Sequence, residues 1–277
     1  MADFVSSIKV PEIARRNGRL SGGERFVPEE TPVAFSYAGS THAVMMATPA
    51  DLEDFAYGFS LTEGIITDPA EIETVEILRE DKGIDLQIRL GDAQNDALTA
   101  RRRHMAGPVG CGLCGIESIE QAVRVTPSVR SSPLTLCEDD VVEAVRLLNG
   151  QQPLHMATRA VHGAGFYVPG TGLIAVREDV GRHNALDKLA GAARRAGHAG
   201  AAGAVVVTSR VSVEMVQKTA IVGSPFIIAI SAPTALAIRT AEEAGMTLIA
   251  LVRGDEFEIF TGAERIVSGP AKRAGNG

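Results

Sequence analysis

At 277 residues, 45% apolar and 22% charged, the chain can bury a sizeable core in one large domain or two modest ones, and its composition excludes a disordered chain. A net charge of −7 excludes a general polyanion binder, so affinity for nucleic acid or an anionic cofactor has to come from a local basic cluster. Three cysteines exclude a disulfide framework, and no apolar run reaches the length of a signal peptide or membrane span; the expectation is a soluble cytoplasmic protein that binds neither membrane nor nucleic acid.

Residues 1–30 carry little pattern and read as an arm. "VAFSYAG" and "HAVMMAT" read as a strand pair around Gly39-Ser40. "TPADLEDFAYGFSLTEGII" follows as a helix with Thr48 and Asp51 as start signals, and Leu52, Phe55 and Phe59 recur at helical spacing as core. "IETVEIL" and "IDLQIRL" flank a charged turn ending at Gly83, and the alternation Ile84, Leu86, Ile88, Leu90 marks a half-buried hairpin strand. A short polar helix, the basic run Arg101-Arg102-Arg103-His104 and "GPVGCGLCGIESIEQAV" come next, with Ile116, Ile119 and Val123 on one helical face, so that Cys114 stands near a helix start. Val125 to Leu136 shifts to Pro, Ser, Thr and Arg, as in a connection between lobes.

Beyond the helix "EDDVVEAVRLLNG", the strands "VHGAGFYV" and "LIAVRED" pair across Gly170-Thr171-Gly172. Helices and strands then alternate through "GRHNALDKLAGAARRAG", "GAVVVTS", "SVEMVQKTAIVG", "FIIAIS", "PTALAIRTAEEAG" and "TLIALVRG", before a last strand "EFEIF". Near-continuous Val/Ile/Ala strands, each followed by a helix, predict an α/β fold with a mostly parallel sheet covered on both faces.

Gly110-Cys111-Gly112-Leu113-Cys114-Gly115 fits three patterns. A dinucleotide fingerprint needs a strand before its first glycine, where this chain has RRRHMAGPV. A zinc site needs about four ligands, yet Cys137 is the only other cysteine and none of the six histidines falls into an H-x₃₋₅-H pair. A zinc nucleobase deaminase needs H-x-E, and no histidine here has Glu two residues on. Sulfur chemistry remains: a thiol becomes reactive where positive potential favours the thiolate, and the arginine run and the following helix start both supply it. Flanking glycines leave room for a partner's sulfur. A thioredoxin-like oxidoreductase stays open as the rival, although its CxxC follows the first strand of a βαβ unit. Cys137, next to Glu138 at a helix start, reads as structural.

A second site is expected at the strand ends, where open α/β sheets bind ligands. Glu178-Asp179, Gly181-Arg182-His183, Thr208-Ser209-Arg210, Ser212, Ser231, Thr234 and Arg253-Gly254-Asp255-Glu256 stand there. Helix starts at Ser212 and Thr234 beside Arg210 suit a phosphate-bearing or nucleotide ligand, although ordinary capping also explains them.

"TPADLEDFAYGFSLTEGII", "GCGLCGIE", "REDVGRHNALDK", "TSRVSVEMVQKTAIVGSP", "SAPTALAIRTAEEAGMTLI" and Phe260-Thr261 together resemble, over about residues 27–267, the formate dehydrogenase accessory sulfurtransferases (FdhD). The resemblance implies a sulfurtransferase that takes persulfide sulfur from a cysteine desulfurase. It passes that sulfur to molybdenum in the bis-molybdopterin guanine dinucleotide (bis-MGD) cofactor before the cofactor enters formate dehydrogenase. It implies Cys111 as the persulfide carrier, Cys114 as auxiliary, and a cofactor loop at Leu251, Val252, Arg253, Gly254, Asp255 and Glu256. Arg182, His183, Arg210 and Lys218 are the residues expected to hold guanine nucleotide and pyrophosphate, and free guanine nucleotide is expected in the same place. It also implies a homodimer and a cytidine-deaminase-like α/β/α core. The expected division is an arm at 1–26, an α+β lobe carrying the CxxC loop at 27–137, an α/β cofactor-binding lobe at 138–268 and a disordered tail at 269–277. Phe260 departs from the family's Tyr, and the acidic pair Asp255-Glu256 is unexpected beside an anion. A thiol-disulfide oxidoreductase and a non-catalytic chaperone that only holds the cofactor are the competing functions.

Overall fold

The computed structural model describes residues 4–92, 94–96, 98 and 125–269. Cys111, Cys114, the basic run 101–104, the expected helix at 116–123 and the tail from 270 lie outside the described residues.

The arm is a hairpin. Strands β1 (Ser7–Arg16) and β2 (Arg19–Pro28) pair antiparallel around Asn17-Gly18, both at positive φ, the conformation two-residue hairpin turns require. A second sheet has the order β4-β3-β6-β5, from β3 (Thr31–Tyr37), β4 (Ser40–Ala47), β5 (Ile72–Glu80) and β6 (Gly83–Leu90). Ile84, Leu86, Ile88 and Leu90 are all buried, as the alternation predicts. They meet helix α1 (Leu52–Thr62), where Phe35 stacks on Phe59 at 4.0 Å and meets Phe55 edge-on at 4.8 Å.

The α/β half is built on a six-stranded sheet, order β13-β12-β11-β10-β8-β9. Its strands are β8 (His162–Val168), β9 (Gly172–Asp179), β10 (Ala204–Val207), β11 (Phe226–Ala229), β12 (Thr247–Arg253) and β13 (Glu256–Thr261). Only β10–β11 and β11–β12 are parallel, so the expected mostly parallel sheet is a mixed one. The short β8–β9 and β12–β13 connections force antiparallel pairing, since a parallel crossover needs a dozen or more residues. Central strands are apolar on both sides because both faces are covered. Val205 and Val207 pack with α4 (Arg182–Arg195), α5 (Val213–Val222) and α6 (Ala235–Ala244), while Ala204 and Val206 pack with α2 (Glu138–Gly150). Cys137 is buried before α2, its Sγ donating to Asp140 Oδ2 at 3.1 Å, which fits its structural reading. A one-turn helix α3 (Pro153–Thr158) and the bridging strands β7 (Leu136–Cys137) and β14 (Ile266–Val267) complete the described chain. Among the described residues no helix is long and apolar enough to cross a membrane.

Helix α1 crosses α4 at two glycines. A methyl on Gly58 would overlap the Asp187 carbonyl, and one on Gly191 would overlap that of Asp54. Around this contact sit three ion-pair groups. Asp54 takes Arg177 and Arg195, each at 2.6 Å. Lys188 pairs with Asp179 at 2.6 Å, and Lys218 with Asp187 and Glu63, each at 2.8 Å.

Thr48 is not a helix start. Its N–H donates to Asp179 Oδ2 at 3.0 Å, its Oγ1 accepts from the Val180 N–H at 3.1 Å, and its carbonyl accepts from Lys188 Nζ at 2.8 Å. Asp51 does precede α1, in the left-handed conformation and without a side-chain cap bond.

Candidate functional site

Topology gathers the site. Strands β10 to β12 run parallel, so their C-terminal ends share one edge of the sheet. Because β8 runs opposite to β10 and β9 opposite to β8, the start of β8 at His162 and the end of β9 at Asp179 reach that same edge. The starts of α4, α5 and α6, at Gly181, Ser212 and Thr234, follow directly. Three sets of N-terminal amides therefore face one edge, where a negative ligand is favoured.

Some polar residues at this edge are already spent. Glu178 accepts from the Leu154 and His155 amides at 2.9 and 2.7 Å, capping α3 across space; burial raises its pKa against the pull of those amides. Asp179 is fully buried and accepts four hydrogen bonds. Thr208 Oγ1 accepts from the Gly163 amide, and Thr234 Oγ1 caps α6 through the Ala237 amide.

Lys218 is a correction. Its Nζ sits between helices and donates to Asp187, Glu63 and Thr62 at 2.8–3.0 Å, which exhausts an ammonium's three protons. Burial alone would lower its pKa; the Asp187 and Glu63 carboxylates outweigh that and hold it above the ordinary value. It pins helices together and has no donor left for a nucleotide.

What stays available is basic. Among the described residues Arg182, Arg210 and Arg253 have no ion-pair partner, and Arg210 and Arg253 are exposed. Arg182 Nε is buried with no hydrogen-bond partner, a donor that an anion would satisfy. Helix α5 starts without a side-chain cap because Ser212 Oγ turns to His183 Nε2, 3.5 Å away. His183 Nε2 also lies 2.9 Å from Glu214 Oε2, and that hydrogen bond holds the Glu214 carboxyl below its ordinary pKa despite burial. Sequence reasoning passed over His162. Burial first, then the nearby Arg182 charge, lower its pKa. Only the antiparallel course of β8 brings it here.

The loop 251–256 closes the same edge. Leu251 takes φ +57°, uncommon for a branched side chain, inside a bulge where Leu251 and Val252 oppose Phe257 alone. Val252 is 2% exposed and packed in the core, so only its backbone is left for a ligand, whereas Arg253, Gly254, Asp255 and Glu256 are exposed. An open cleft at the root of the hairpin is lined by the acids Glu29, Glu30, Glu80 and Asp81 against the bases Arg79 and Lys82, an acidic balance that does not favour an anion.

The profile of the FdhD/NarQ family matches residues 28–267. The chain belongs to that family. It is 66% identical over 259 residues to the sulfur carrier protein FdhD of Agrobacterium fabrum, covering 94% of this chain and 96% of that one. It is 56% identical over 258 residues to the protein of the same name from Brucella abortus, covering 93% and 96%. The crystal structure of a protein assigned as a formate dehydrogenase accessory protein, from Desulfotalea psychrophila, superposes with TM-score 0.74 at 27% identity, covering 94% of this chain and 99% of that one. The FdhD/NarQ assignment agrees with the resemblance read from the motifs and with an α/β fold.

Proposed function

We propose that this chain is a sulfur carrier that loads sulfur on Cys111 from a cysteine desulfurase and delivers it to molybdenum in bis-MGD for formate dehydrogenase. The match over nearly its whole length to proteins named sulfur carriers carries the reading. The strand-end geometry supports the acceptor half: Arg182, Arg210 and Arg253, which have no acidic partner among the described residues, and the uncapped α5 start suit the phosphates and guanine of such a substrate. The loop 251–256 adds backbone amides at the same edge. Free guanine nucleotide would bind there as a fragment of that substrate.

In the loading step the Cys111 thiolate attacks the terminal sulfur of the donor persulfide. The donor's S–S bond breaks, the donor cysteine leaves as thiolate, and Cys111 becomes the persulfide. Delivery transfers that terminal sulfur as sulfide. The two electrons come from Cys111 and Cys114, which close a disulfide; a cellular dithiol reopens it. This gives Cys114 its auxiliary role. The carrier works in the cytoplasm as a homodimer.

Incubation with desulfurase and cysteine should add about 32 Da, one sulfur atom, to Cys111, and a Cys111→Ala chain should fail to activate formate dehydrogenase in cells lacking their own copy. If Cys111→Ala still activates the dehydrogenase, the chain only holds cofactor. Reduction of insulin by wild type, lost equally in Cys111→Ser and Cys114→Ser, would make it an oxidoreductase instead.

A further inference from the structure

Arg182 and His183 lie between two residues held by one carboxylate. Asp179 Oδ1 accepts from the Gly181 amide at 2.7 Å and from Asn184 Nδ2 at 2.9 Å, so the backbone is tethered on either side of the pair. Its other oxygen accepts from the Thr48 amide at 3.0 Å and from Lys188 Nζ at 2.6 Å. The second proton of Asn184 Nδ2 goes to the Met46 carbonyl at 2.8 Å, and Lys188 also donates to the Thr48 carbonyl. Lys188 Nζ stands 5.2 Å from the Phe55 ring centroid, within range of a cation–π contact. Asp179 and Lys188 are both fully buried, and the hydrogen-bonding capacity of the Asp179 carboxylate is taken up within this network.

A structure that only needed to neutralise Lys188 would require one carboxylate oxygen. Here Oδ1 is spent on the turn that presents Arg182 and His183, while Oδ2 reaches Thr48, the residue that follows β4. We propose that Asp179 is the positioning residue of the strand-end anion site: it fixes Arg182 and His183 through Gly181 and Asn184, and registers them against segment 46–48 of the neighbouring sheet through Thr48 and Lys188. A charge-assisted contact to phosphate depends steeply on placement, so a loosened turn loses affinity without losing either basic side chain. The inference rests on the guanine-nucleotide reading of that site and names a residue that touches no ligand.

The test is guanosine diphosphate titrated calorimetrically into the full chain. Asp179→Asn keeps the shape but has one oxygen and two N–H donors, so it cannot accept all four bonds; binding should weaken about tenfold or more. Sulfur loading on Cys111 by the desulfurase should be unchanged. Asp187→Asn is the control for a merely structural role. It removes a buried carboxylate of α4, the helix that follows Asp179, but touches neither Gly181 nor Asn184, and should lower thermal stability with wild-type affinity retained. Should Asp179→Asn not fold, Asn184→Ala, which cuts the link to both Asp179 and Met46, should weaken binding in the same sense. Wild-type affinity in the Asp179→Asn protein, or an equal loss in Asp187→Asn, overturns the inference. Absence of binding to wild type overturns it together with the nucleotide reading of the site, whereas binding that Arg182→Gln weakens and Asp179→Asn does not overturns the inference alone.

Discussion

Gly58 and Gly191 meet backbone to backbone where α1 crosses α4, so the four-stranded sheet with its helix and the six-stranded sheet are joined at a contact that admits no side chain. Both helices bring their charged residues to the rim of this contact, where Asp54, Asp187 and Lys188 are paired.

Gly58→Ala or Gly191→Ala should therefore cost about 2 kcal/mol through forced separation of the helices, lowering the melting temperature by about 4–8 °C. Thermal unfolding followed by circular dichroism reads this. A melting temperature equal to wild type would mean the crossing is looser than described.

Lys218→Met should cost about 3–5 kcal/mol, because it strands the Asp187 carboxylate in the interior; the double variant Lys218→Met/Asp187→Leu should recover much of that loss. Denaturant unfolding measures both. Guanosine diphosphate affinity should not change in Lys218→Met, since that ammonium is already spent on Asp187, Glu63 and Thr62.

His162 supplies a pH dependence. Its folded pKa lies below the ordinary 6.5, chiefly through burial and next through Arg182. The folded state therefore favours the neutral ring: the contribution is complete above pH 6.5 and is lost as pH falls through that value toward the lower folded pKa. His162→Gln should flatten the decline of stability below about pH 6.5. Arg182→Gln should raise the His162 pKa in an NMR titration, and an unmoved titration curve would rule out the electrostatic link between them.

Arg182→Gln, Arg210→Gln and Arg253→Gln should each weaken guanosine diphosphate binding about tenfold with little change in melting temperature, because among the described residues none of the three pairs with an acid. Val252→Ala should do the opposite, costing about 1–2 kcal/mol of stability as a core truncation. Affinity and unfolding measured on the same preparations separate the two classes.

Much of the architecture is legible in the sequence. The alternation Ile84 to Leu90, the Val/Ile runs of β10 to β12 and the helical spacing of Leu52, Phe55 and Phe59 all specify elements by local periodicity, and the structure has each of them. The hairpin of β1 and β2 was read only as an arm: Asn17-Gly18 marks its turn, but its flanking strands are exposed and mostly polar, so periodicity does not mark them. The mixed sheet was half legible: a short turn around Gly170 dictates an antiparallel pair, whereas the apolar runs on either side look the same in parallel and antiparallel sheets. Cys111 and Cys114 rest on spacing and neighbours in the sequence.

Sequence by itself determined the family, the elements and the residue types available at the strand ends, because those follow from local pattern and from motifs long enough to be specific. Only the tertiary structure decided which polar residues are ligand-facing and which are structural. Lys218, Glu178 and Asp179 look as available as Arg182 and Arg210 when read in a line. Whether a charge meets solvent or a buried partner depends on elements far away in sequence, Thr62 for Lys218 and Thr48 for Asp179, and burial makes that pairing obligatory.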